Sequence, residues 1–184
     1  MIAAETSARI EALDALAALL AYPDERLPEA VRSAGERVAV AFPEASRALE
    51  PFLRAAASTA PVALEELFAR TFDWSTTVGL EVGWHLYGEQ YDRGAFLVRM
   101  RERLRAAGIE EGCDLPDHLG SCLRLLGRIP AEEAAELART SILPATAKIL
   151  VGFGEDPNPY ASVIRAVQAV LAEVAGPAGA GGGR

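Results

Sequence analysis

Apolar residues recur at helical spacing along almost the whole chain, and no apolar/polar alternation survives for more than a few positions. That period excludes most sheet architectures. A half-buried strand needs inward and outward side chains to alternate every residue, whereas an amphipathic helix needs apolar residues three and four apart. Val163, Ile164, Val167, Val170, Leu171 and Val174 form one such stripe near the end. Ile10, Leu13, Leu16 and Leu20 form another near the start, which Tyr22-Pro23 stops.

Between these, proline marks several beginnings, because a missing N–H costs nothing in the first helical turn. A second helix is expected from near Pro28 to about Ala41. Pro43-Glu44 opens a third with Leu49, Phe52 and Leu53 inward, and Pro61 a fourth with Leu64, Leu67, Phe68 and Phe72. After a break at Asp73-Trp74-Ser75-Thr76, Thr77 reads as the cap of a fifth helix carrying Leu80, Trp84 and Tyr87. A sixth places Leu97, Met100, Leu104 and Ala107 on one side and Arg99, Arg101, Glu102 and Arg103 on the other, ending at Gly108. Asp114 is expected to cap the next, about Leu115 to Gly127. Another starts near Ala131, kinks or restarts at Pro144 and reaches about Gly152. The expected fold is all-α, a single-domain helical bundle over residues 1–175, with a flexible Gly-rich tail over 176–184.

Composition narrows the function classes. A chain of 184 residues, 51% hydrophobic and 24% charged, suits one domain with a real core. A net charge of −8 lacks the basic footprint of a nucleic-acid partner. The richest apolar stretch, Ile10 to Ala21, contains Glu11 and Asp14 and is too short for a membrane span. The N-terminus lacks the basic and apolar regions of a secretory signal, so a cytoplasmic location is expected. Cys113, Cys122 and two histidines have no metal spacing, and neither a metal nor a cofactor is expected.

Enzyme signatures are weak. There is no phosphate-binding Gly-x-x-x-x-Gly-Lys loop and no Gly-x-Ser-x-Gly elbow. Gly152-Phe153-Gly154 reads as a helix stop and turn. Asp117, His118 and Ser121 lie close in sequence, but one helical turn would spread them along a surface without the oxyanion donors of acyl transfer. Acidic residues surround Cys113, the wrong sign for a reactive thiolate.

Two segments break the monotony of amphipathic helices. The first, Trp84 to Gly94, follows Gly79 and Gly83, four apart on the expected fifth helix and leaving a strip open to close approach of a helix or a peptide. Arg93 beside Gly94 is a cation at a helix start and is expected to pair with a carboxylate near Asp114. The second, Asp114-Leu115-Pro116-Asp117-His118-Leu119, reads as a well-capped helix start. It also lies in a stretch, Ile109 to Gly120, with Glu110, Glu111, Asp114 and Asp117 and no basic residue. An exposed acidic cluster would favour a partner's guanidinium or ammonium group.

Gly88-Glu89-x-x-Asp92-Arg93-Gly94, followed some twenty residues on by Asp114-Leu115-Pro116-Asp117-His118-Leu119, resembles the NarJ/TorD/DmsD family of redox-enzyme maturation chaperones, the NarJ branch most closely. Leu20-Ala21-Tyr22-Pro23-Asp24 and Pro159-Tyr160-Ala161 support the likeness, which runs from about Ile10 to Ala175. Gly120-Ser121-Cys122 departs from the family's usual Pro and large apolar residue, and Thr71-Phe72-Asp73-Trp74 leans toward the TorD/DmsD branch.

The resemblance implies a TorD-like helical chaperone that is not an enzyme. It implies binding of the N-terminal, twin-arginine-like segment of the catalytic subunit of a molybdenum-containing reductase, such as nitrate reductase, keeping it competent for cofactor insertion. Carried over by motif, the binding positions are Asp117 and His118, with Asp114, Leu115 and Pro116 shaping the turn and Tyr87, Arg93 and Gly94 supporting it. The resemblance leaves room for a homodimer. A structural subunit of the reductase complex and a small hydrolase using His118 are the competing readings.

Overall fold

A computed structural model describes residues 2–176, with side chains from residue 4, so the tail expected to be flexible lies, beyond Gly176, outside the described residues. The described chain is a helical bundle. Its order is α1 (Ile2–Leu19), α2 (Leu27–Ala41), α3 (Pro43–Ser58), α4 (Pro61–Phe68), α5 (Val82–Tyr87), α6 (Tyr91–Ala106), α7 (Leu119–Leu126), α8 (Ala131–Leu137), α9 (Leu143–Phe153) and α10 (Tyr160–Ala175). Pro28, Pro43, Pro61 and Pro144 all sit in the first turn of a helix, as their missing N–H favours.

The apolar stripe of α10 is the centre of the core and packs chiefly against α3 and α9, while α1 lies against α2 and α7. Tyr160 at the start of α10 anchors an aromatic cluster. Its ring centroid lies 5.0, 5.6 and 5.2 Å from those of Phe52, Phe68 and Phe72. Such edge and tilted pairs join α3 and α10 to the end of α4.

Two five-residue π-helical turns, Ala69–Asp73 and Ala138–Ile142, extend α4 and α8. Both begin Ala-Arg-Thr, and in both the threonine hydroxyl donates back to the carbonyl four residues earlier, Thr71 to Leu67 at 2.6 Å and Thr140 to Glu136 at 2.8 Å. A hydroxyl occupying that carbonyl competes with the regular backbone N–H, which suits a widened turn. The first π turn swings Phe72 inward and delivers Asp73 and Trp74 to the surface.

The helix expected from Thr77 starts instead at Val82, and the helix expected from Asp114 starts at Leu119. One long-range contact explains both corrections. Residues 80–82 and 117–119 form an isolated antiparallel bridge, with the Val82 N–H donating to the Asp117 carbonyl at 3.0 Å and the Leu119 N–H to the Leu80 carbonyl at 2.8 Å. Extended backbone there satisfies these groups across the chain, so neither segment coils early. Gly79 therefore precedes α5 rather than sharing a helix with Gly83.

Candidate functional site

The bridge draws the two motif segments together beside the first π turn and the α1–α2 loop. A cleft of about 490 Å³ opens at this junction. Leu20, Phe68, Phe72 and Leu80 supply its apolar lining, and these side chains are buried. Tyr22 (58% exposed) and Trp74 (79% exposed) also line it, two large aromatic surfaces left to solvent. Asp73, Glu81 and Asp114 contribute carboxylates, and Arg93, Trp84 and His118 line it as well, beside the 75–79 segment. An apolar floor with a predominantly acidic rim suits a ligand that is apolar along part of its length and cationic at another.

Asp117 is fully buried. It is thus not the exposed helix-end carboxylate that the sequence suggests. Its Oδ2 accepts from the Gly83 N–H at 2.7 Å, at the start of α5 and not of its own helix. Oδ1 has no hydrogen-bond partner among the described residues. Burial pushes this carboxyl above its ordinary range, against the opposing pull of the Gly83 N–H and the Arg93 charge. A Cβ on Gly83 would stand 2.7 Å from that same oxygen and 3.0 Å from Phe96 Cδ1, so the space at Gly83 is filled by the protein's own carboxylate and ring.

His118, not Asp114, caps α7: its Nδ1 accepts the Gly120 N–H at 3.1 Å. That bond needs the neutral ring, and burial holds the imidazole below its usual range. With His118 facing Gly120 and Asp117 facing Gly83, Asp117, His118 and Ser121 are not arranged as a catalytic triad. The Cys122 thiol is fully buried and burial pushes it far up, which removes it as a nucleophile.

Arg93 differs from expectation too. Among the described residues no carboxylate lies within ion-pair distance, and the guanidinium sits over the Trp84 ring, 5.3 Å from its centroid. Its buried Nε is unpartnered, close enough to Asp117 for their charges to interact. The acidic stretch is also less free than its sequence implies. Arg101 and Arg105 on α6 donate to Glu111 at 2.7 and 3.1 Å, and the Arg101 hydrogen bond holds that carboxyl below its ordinary range.

Of the motif residues, Arg93, Asp114 and His118 line the cleft. Pro116 and Asp117 are buried behind it, Leu115 is 43% exposed, and Tyr87 is half-buried with its ring 5.7 Å from that of Phe96. Gly94 is exposed, with open space where a side chain would be. Sequence reasoning did not single out Glu81, Asp73, Trp74 or Tyr22 as site residues. Tyr22, Asp73 and Trp74 stand in segments that bear on the family likeness, and acids and large aromatics cluster where the helical period lapses, at 22 and 73–81.

Residues 36–166 match the nitrate reductase delta subunit family, a span that contains both motif segments. Over 122 residues the chain is 31% identical to the nitrate reductase molybdenum cofactor assembly chaperone NarJ of Escherichia coli (strain K12), covering 64% of this chain and 52% of that protein. It is 26% identical over 177 residues to the probable nitrate reductase molybdenum cofactor assembly chaperone NarJ of Bacillus subtilis (strain 168), covering 92% of each. The match to the E. coli relative spans about half of that protein's length.

Proposed function

We infer that this chain, which belongs to the nitrate reductase delta subunit family, is an assembly chaperone for a molybdenum-containing reductase such as nitrate reductase. In this reading it holds the N-terminal segment of the catalytic subunit until the molybdenum cofactor is inserted, acts in the cytoplasm and performs no chemistry itself. The names of its relatives support the chaperone role. The observation that carries the binding role is the cleft, whose aromatic floor and carboxylate rim match a twin-arginine-like peptide, basic at one end and apolar along the rest.

Within that reading Asp114, with Glu81 and Asp73, receives the peptide's cationic end, and Phe68, Phe72, Tyr22 and Trp74 take its apolar side chains. Asp117 acts from behind, ordering α5, while His118 lines the cleft and orders the start of α7, and Leu115, Pro116, Tyr87, Arg93 and Gly94 support the turn and the wall. Among the described residues no helix is long and apolar enough to cross a membrane.

The test is co-expression with the reductase catalytic subunit, intact or lacking its N-terminal segment. The intact, cofactor-free subunit should co-purify with this protein, and the truncated one should not. Co-purification that ignores the truncation would reject the N-terminal site. Stoichiometric retention in the mature, cofactor-loaded complex would favour a structural subunit instead.

A further inference from the structure

Helix α5 carries Trp84 into the cleft, yet it is only six residues long. A helix of that length does not persist by itself, because the cost of nucleation outweighs the few bonds it can form. Other elements hold it at both ends. At its start the Asp117 carboxylate takes the Gly83 N–H at 2.7 Å. At its end Lys148, from α9, donates from Nζ to the His85 carbonyl at 2.6 Å. Anion at the N-terminus and cation at the C-terminus are the signs the helix dipole favours.

Helix α5 in turn holds the irregular segment before it. Trp84 Nε1 donates to the Thr76 carbonyl at 2.9 Å, and His85 Nε2 lies 2.6 Å from the Gly79 carbonyl. Residues 74–76 and 79–81, which line one side of the cleft, are thus tied to α5 by two side chains, in addition to the bridge that holds 80–82 against 117–119.

Lys148 is the only lysine among the 18 Lys and Arg residues of the sequence. Elsewhere among the described residues arginine meets carboxylates, as in Arg128 with Asp14 and Arg101 with Glu111, and Arg139 donates to the Ala175 carbonyl at 2.7 Å. The target here is a single backbone carbonyl. A compact ammonium on a flexible stem meets it as a point charge, with a geometry different from that of a planar guanidinium fork. Lys148 does not line the cleft, and among the described residues it makes no ion pair.

We propose that Lys148 is a positioning residue of the cleft: by anchoring the His85 carbonyl it sets the pose of α5, and with it Trp84 and the 74–81 wall. The proposal rests on the reading of the cleft as a peptide site, and its test separates the two. Lys148→Met keeps the apolar stem and removes the donor. Lys148→Arg keeps the charge in a different shape, and Lys148→Gln replaces the Met variant should that one aggregate. A peptide copied from the N-terminus of the reductase catalytic subunit is titrated calorimetrically into each full-length protein. Trp84 emission and near-ultraviolet dichroism are recorded in parallel in a Trp74→Phe background.

Loss of one charged hydrogen bond to the backbone should weaken peptide binding about tenfold in Lys148→Met. The Trp84 signals should shift while helix content stays constant, and Lys148→Arg should recover part of both. Unchanged Trp84 signals in Lys148→Met, or peptide binding within about twofold of wild type, would overturn the positioning role. If the wild type binds no peptide, the chaperone reading falls, and the Trp84 signals alone decide whether Lys148 sets the pose of α5.

Discussion

Asp117 offers the sharpest test of the structure, because its buried carboxyl makes opposite demands at low and neutral pH. Asp117→Ala strips the Gly83 N–H of its acceptor. An unsatisfied buried donor costs about 1–3 kcal/mol, and the lost packing adds to it. Asp117→Asn keeps an acceptor for Gly83 and removes a charge that has only one hydrogen-bonded oxygen. It should therefore lie within about 1 kcal/mol of wild type near neutral pH, well above the Ala variant.

The pH dependence follows from the burial. Burial raises the folded-state pKa of Asp117, so the folded protein binds this proton more tightly than the unfolded chain does. Its contribution to stability is fully present below the unfolded value, near about 3.9, and is lost as pH rises through the folded value. Asn mimics the neutral form at every pH. The stability difference between Asp117→Asn and wild type should move in favour of Asn as pH rises from 4 to 7. Every tenfold by which the folded carboxylate holds its proton more tightly than the unfolded one contributes about 1.4 kcal/mol to that movement. Urea unfolding at a series of pH values measures it. A variant destabilised by more than about 2 kcal/mol at pH 7, recovering on acidification, would show a stabilised ion pair and refute the reasoning.

Three further outcomes are expected. Arg93→Ala should cost about 1–2 kcal/mol in denaturant unfolding, the size of a partly desolvated cation–π contact with Trp84, and not the 3–5 kcal/mol, roughly, of a broken buried ion pair. Gly83→Ala should lose about 1–3 kcal/mol, seen as a lower melting temperature, because the new methyl would meet Asp117 Oδ2 and Phe96 at sub-contact distance. Iodoacetamide should label the folded protein once, at exposed Cys113, and twice only after unfolding, because Cys122 is buried; mass spectrometry of intact protein reads the count.

The helical architecture was legible in the sequence because its evidence is local. The spacing of Val163 to Val174 and the prolines at 28, 43, 61 and 144 needed no distant partner to be read. The site was less legible because its geometry is set by contacts between segments far apart in the chain. Thr77 and Asp114 both look like caps, but the bridge between 80–82 and 117–119 delays both helices. Asp117 looks like an exposed helix-start acid, and it does serve a helix start, though that of α5, 34 residues earlier. Of the motif residues, Arg93, Asp114 and His118 line the cleft, and Glu81 and Asp73 join them there only through the fold. The π turns could not be read from apolar period, since one extra residue in a turn leaves the composition unchanged.

In the proposed function the cleft binds a basic, apolar segment through its carboxylate rim. Calorimetric titration of the catalytic subunit's N-terminal peptide into wild type and into the Glu81→Gln/Asp114→Asn double variant, at low and high salt, addresses it directly. Wild type should bind more weakly as salt rises, and the double variant should bind about tenfold to a hundredfold more weakly with a smaller salt dependence, at unchanged melting temperature. Equal affinity of the two proteins at low salt, or a wild-type affinity indifferent to salt, would contradict recognition by these carboxylates.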